Sequence, residues 1–68
     1  MIGMLVLSED GNIGVAVIPS LVEPDTVILS VQFYDLQLPP IPIPASQLQA
    51  AMEVWFGNQK VTIKTQGS

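Results

Sequence analysis

Residues 1–7 (MIGMLVL) form an apolar run that stops at Ser8-Glu9-Asp10-Gly11-Asn12. That cluster is hairpin-loop material, since Gly11 and Asn12 both tolerate positive φ. A second apolar run, Ile13 to Ile18 (IGVAVI), follows at once, with Ile13, Val15 and Val17 on one face and Gly14, Ala16 and Ile18 on the other. Two such runs across a short polar loop predict an antiparallel hairpin. The first strand is apolar on both sides, with Ile2, Met4 and Val6 on one face and Leu5 and Leu7 on the other. One helix can cover only one face of a sheet, so the other face calls for a second layer.

Pro19 and the PSLVEPD stretch interrupt the pattern, with Pro24-Asp25 as turn residues. Thr26 to Tyr34 (TVILSVQFY) predicts the longest strand: Val27, Leu29, Val31 and Phe33 share one face, and Thr26, Ser30, Gln32 and Tyr34 a more polar one. Beyond Asp35 the parity inverts to Leu36 and Leu38, which predicts a bulge or bend near Tyr34-Asp35. Four prolines then fall within LPPIPIP, residues 38 to 44, and predict a stiff, extended strap leading to a helix.

The helix is the clearest local expectation. Ser46 fits an N-cap, Gln49 completes a capping-box pattern, and Gly57 stands where a helix ends. Between them Leu48, Ala51, Met52, Trp55 and Phe56 recur at helical spacing. The last strand, Gln59 to Thr65, alternates Val61 and Ile63 inward with Lys60, Thr62 and Lys64 outward. The expected fold is α+β in one domain over residues 1–68. It is a mostly antiparallel sheet of about four strands with one helix before the last (β-β-β-α-β); the sequence leaves the strand order open, and a right-handed crossover beside the third strand is one arrangement it allows. A small β-barrel with one helix is the alternative.

Composition changes this picture in one respect. Apolar side chains make up 49% of the chain and charged ones 12%, about half the ~25% of an ordinary soluble domain. A 68-residue chain buries only about 60% of its unfolded surface, and such chains usually need a disulfide, a metal or a partner. Cysteine and histidine are both absent, which removes thiolate and imidazole metal sites and the commonest general base. A partner chain remains. Self-association is expected, with Ile2, Met4, Leu5, Leu7, Trp55 and Phe56 as interface residues. Trp55 and Phe56 are adjacent and cannot both point into the sheet.

The formal net charge of −4 and the absence of arginine argue against phosphate-backbone binding and anionic membrane surfaces. The longest uncharged stretch, Leu36 to Met52, holds four prolines and three glutamines and is no spanning helix. The opening residues lack the basic segment of a signal peptide. A soluble cytoplasmic protein is the expectation.

Catalytic chemistry has few agents here. The serines fall at turns, caps and strand positions, the adjacent Glu9 and Asp10 read as a solvated loop tip, and the glycines match no phosphate-cradling motif. No enzyme activity, cofactor or metal is expected. Pro39 and Pro42 satisfy PxxP, but no basic residue flanks them and the strap role suffices. The leading functional expectation is a non-enzymatic interaction protein, of adaptor or inhibitor type, that self-associates and binds another macromolecule, with a protein as the expected partner. The alternative is a protein that sequesters a small anionic ligand such as a nucleotide between subunits. Lys60, Thr62, Lys64 and Tyr34, with the helix start at Ser46 and Gln47, would hold that ligand. Lysines on an edge strand also serve simply to prevent sheet-to-sheet aggregation.

Overall fold

The alternating segments pair in sequence order wherever the connecting loop is short. The computed structural model describes residues 2–67, with the backbone alone for Ile2, Gln66 and Gly67; Met1, where the first strand was expected to begin, lies outside them. Strands β1 (Ile2–Ser8), β2 (Ile13–Pro19) and β3 (Thr26–Phe33) form an antiparallel meander, with Val6 opposite Val15 and Val15 opposite Val31. The chain then reverses at Tyr34-Asp35 into β4 (Leu36–Gln37), so that Leu36 lies opposite Phe33. The parity switch read as a bulge or bend is therefore a chain reversal, and it requires Tyr34 to adopt a φ of 58°.

The proline strap is itself a strand. β5 (Ile41–Pro44) pairs with β3, setting Ile41 opposite Leu29 and Ile43 opposite Val27, and Leu38 bridges the gap from β4 by donating its N–H to the Val31 carbonyl. Proline survives here because the strand is at an edge, where alternate backbone groups bond to no neighbour.

A 3-10 turn (Ala45–Gln47) runs directly into α1 (Leu48–Phe56). Ser46 lies inside that turn, and neither cap carries a side-chain hydrogen bond, so the expected capping box does not form. The helix ends at Gly57, whose φ of 60° strains any residue with a Cβ and whose N–H bonds the Glu53 carbonyl at 2.8 Å. The chain returns as β6 (Val61–Gly67), which pairs antiparallel with β1.

The order across the sheet is β4-β3-β2-β1-β6, with β5 beside β3, and the sheet is open rather than closed into a barrel. Of the strand orders the sequence left open, the structure has the last strand next to the first and not beside the third. The meander leaves β1 with a free edge, while the far side of β3 is already taken by the segment from 36 to 44. The helix must cross from one edge to the other.

That crossing buries one face. Val6, Val15, Val17, Leu29 and Val31 form the core with Phe56, and Leu48, Ala51, Met52 and Trp55 pack against them. The adjacent aromatics divide as the helical spacing requires: Phe56 is 4% exposed, whereas Trp55 sits at the core edge with its ring 6.3 Å from that of Phe33.

Ser8 closes the β1–β2 loop. Its Oγ accepts the Ile13 N–H at 3.0 Å and donates to Asp10 Oδ1 at 2.7 Å, and that carboxylate accepts the Asn12 N–H.

Candidate functional site

Strand parity dictates that every second residue of the sheet points away from the helix. On that second face β1 presents Gly3, Leu5 and Leu7, β2 presents Gly14, Ala16 and Ile18, and β3 presents Ile28, Ser30 and Gln32. No element among the described residues packs on it. Ile18 is 46% exposed, and Leu5, Leu7 and Ile28 are each part-exposed. Gly14 and Ala16 leave a shallow hollow between the leucines of β1 and Ser30 of β3. The face turns polar toward β4, where Gln37 Nε2 donates to Ser30 Oγ at 3.2 Å. It ends on the other side at Thr62 and Lys64 of β6, opposite Leu7 and Leu5.

Exposed area measures how incomplete the packing is. The chain exposes 4844 Å², whereas a folded monomer of its mass exposes roughly 4,200 Å². The excess, on the order of 600 Å², is spread over the whole chain: Leu21, Val22 and Val54, which lie off this face, are each 79% exposed or more.

A second opening lies on the helix side of β6. The inner face of β6 is only partly covered: Ile63 is 58% exposed and Val61 38%. A groove of about 550 Å³ runs between Met52 and Phe56 of the helix and Val61 and Ile63 of the strand, floored by Met4 and Val6. Ser46, Gln49, Glu53 and Gln59 also line it.

The expected anion site does not assemble within one protomer. Thr62 and Lys64 lie on the uncovered face, with Lys60 just ahead of the strand, whereas Ser46 lines the groove on the helix face. Gln47 is exposed in the 3-10 turn. Tyr34 occupies the β3–β4 turn, two strands and about 14 Å of sheet away from β6, with its ring against Phe33. Among the expected interface residues, Leu5 and Leu7 are on the uncovered face, Met4 floors the groove, Phe56 is in the core, and Trp55 flanks it. The side chain of Ile2 lies outside the described residues.

Asp10 is tied into the β1–β2 loop. The Asn12 N–H and then the Ser8 hydroxyl hold the Asp10 carboxyl below its ordinary value. No group of three or more Asp and Glu side chains with metal-site geometry occurs among the described residues. Sequence reasoning missed Ile28, which joins Ile18 and Leu5 on the uncovered face; it stands in phase with Thr26 and Ser30, and their polarity masked it. No helix among the described residues is long and apolar enough to cross a membrane.

Comparison with family models, with curated proteins and with solved structures finds no match.

Proposed function

We propose that the protein is a non-enzymatic interaction protein, cytoplasmic in setting, that associates with a second copy of itself through the uncovered sheet face and binds another protein as adaptor or inhibitor. The observation that carries this reading is the row of Leu5, Leu7, Ile18 and Ile28 on a face that no helix among the described residues reaches. Burying apolar surface is worth ~25 cal/mol per Å². Covering these side chains on each of two copies adds to the marginal core of a domain this small, and the surplus over the entropy of association appears as affinity. A second copy suits the face because two flat sheets stack at ~10 Å with their side chains interdigitated. The hollow over Gly14 and Ala16 then receives a partner's leucine or isoleucine.

Concentration-dependent NMR tests this. Raising the protein from low micromolar to submillimolar should move the methyl signals of Leu5, Leu7, Ala16, Ile18 and Ile28 together. Shifts confined to the helix face, or none at all, would remove the basis for the reading. Native mass spectrometry on the same samples separates it from ligand sequestration, which requires a copurifying small anion.

A further inference from the structure

The two edges of the sheet are built differently, and backbone hydrogen bonding shows how. Asn12 accepts from Tyr34, Ser20 donates to Thr26, and Leu38 donates to Val31. Antiparallel ladders alternate bonding direction residue by residue, so these three bonds fix the phase across the whole sheet. In β5, Ile41 and Ile43 bond inward to β3, which leaves Pro42 and Pro44 facing out with no N–H to give. In β6 the same phase sends the backbone of Thr62 and Lys64 inward to Leu7 and Leu5 and the backbone of Val61, Ile63 and Thr65 outward. One edge is thus sealed by proline. The other presents three N–H and three C=O groups that, among the described residues, pair with no strand.

We infer that the open edge of β6 is a strand-addition site for an extended peptide segment of a protein partner in which apolar and acidic residues alternate. This deepens the proposed function, on which it rests, by giving the partner's chemistry. A strand laid along Val61–Thr65 places every second side chain on the helix face. There the groove between Ile63 and Met52 is apolar, and Glu53 disfavours a carboxylate. The intervening side chains fall on the opposite face beside Lys60 and Lys64, which are the only basic side chains in the chain. Backbone bonding supplies affinity and the two faces supply selection, as in other β-augmentation sites.

A second copy of β6 fits the same edge less well. With the two-fold axis at Ile63, each copy brings its own lysines to the face that already holds two. Moving the axis to Lys64 opposes that residue to itself, and moving it to Thr62 opposes Lys60 to Lys64. Like charges directly opposite each other are destabilising. An acidic strand turns both contacts favourable.

The test uses the full chain and a fluorescein-labelled nonapeptide alternating isoleucine and glutamate, read by anisotropy at low salt. Saturable binding is expected, with amide shifts centred on Val61 to Thr65. N-methylation of the peptide amides in one phase should weaken binding by about tenfold or more, and in the other phase hardly at all, because only one phase bonds β6. The Lys60→Gln, Lys64→Gln protein should bind about three- to tenfold more weakly at low salt, and Ile63→Pro should not bind while keeping its circular dichroism. The inference fails if the glutamate peptide does not bind, if both N-methyl phases act alike, or if the shifts map to Leu5 and Ile18. It also fails if cross-linking places Ile63 against Ile63 of a second copy that the peptide does not displace. Sedimentation of the same samples keeps the two proposals apart: a monomer that binds the peptide removes the uncovered-face dimer alone, and a dimer that ignores the peptide removes strand addition alone.

Discussion

Replacing Ser8 by alanine isolates one buried polar arrangement. Ser8 is 3% exposed and its Oγ is the acceptor for the Ile13 N–H, which begins β2 in a buried setting. Alanine leaves that donor with no partner, a cost of about 1–3 kcal/mol, and also removes one of the two donors that hold Asp10. We expect a loss of about 2 kcal/mol. A chain of this size has only ~3–10 kcal/mol in total, so the melting temperature should fall by roughly 8–16 °C. The assay is thermal and urea unfolding at one fixed protein concentration, since self-association raises apparent stability by mass action; the urea m value should not change. Asp10 is exposed, so Asp10→Ala should cost less than Ser8→Ala, and the double variant should cost less than the sum. A Ser8→Ala protein melting within 2 °C of the parent (about the error of the assay) would refute the claim that this hydroxyl closes the hairpin.

Other perturbations follow from the same structure. Acid should weaken the parent more than Asp10→Asn. The native Asp10 carboxyl titrates below its unfolded value of ~3.9, so its contribution is full above that value and is lost as pH falls through the native one. Urea titrations from pH 6 down to pH 2.5 would show parallel curves if this is wrong. Leu29→Ala opens a cavity at the largest of the fully buried side chains and should cost about 3 kcal/mol or more, visible as a largely unfolded far-ultraviolet spectrum at 37 °C. Gly57→Ala meets no neighbouring atom within 4 Å but inherits a φ of +60°. It should cost about 1–2 kcal/mol by backbone strain alone, and an unchanged urea midpoint would contradict that. Gly14→Ala directs a methyl at Leu7 Cδ2, 3.2 Å away, on the uncovered face; it should weaken self-association while leaving the dilute monomer folded, as read by size-exclusion chromatography with light scattering.

The strands with clean alternation were legible because each buries one face in the core, and period 2 is then written into the sequence. Thr26 to Phe33 and the β1–β2 hairpin are of this kind. The proline segment was not legible as a strand, since proline argues against a central strand and says nothing against an edge. Ile41 and Ile43 alternate with Pro42 and Pro44, and that alternation was the available signal. The helix start was misplaced because Ser46-Gln47-Leu48-Gln49 carries a capping-box pattern, while the chain enters a 3-10 turn directly after the extended Pro44, so that Ser46 already stands inside the turn. Strand order depends on which edge the crossover reaches, a non-local choice that no local pattern encodes. The same holds for the candidate anion site: Lys64 and Ser46 are placed on opposite faces by the helix crossing, not by their spacing.

Sedimentation equilibrium of the full chain from 1 to 100 μM, beside Ile18→Asp, bears on the uncovered face most directly. The parent should fit a monomer–dimer equilibrium, and Ile18→Asp should sediment as a folded monomer throughout. A parent that remains a single monomeric species with no bound companion over that range would contradict the account.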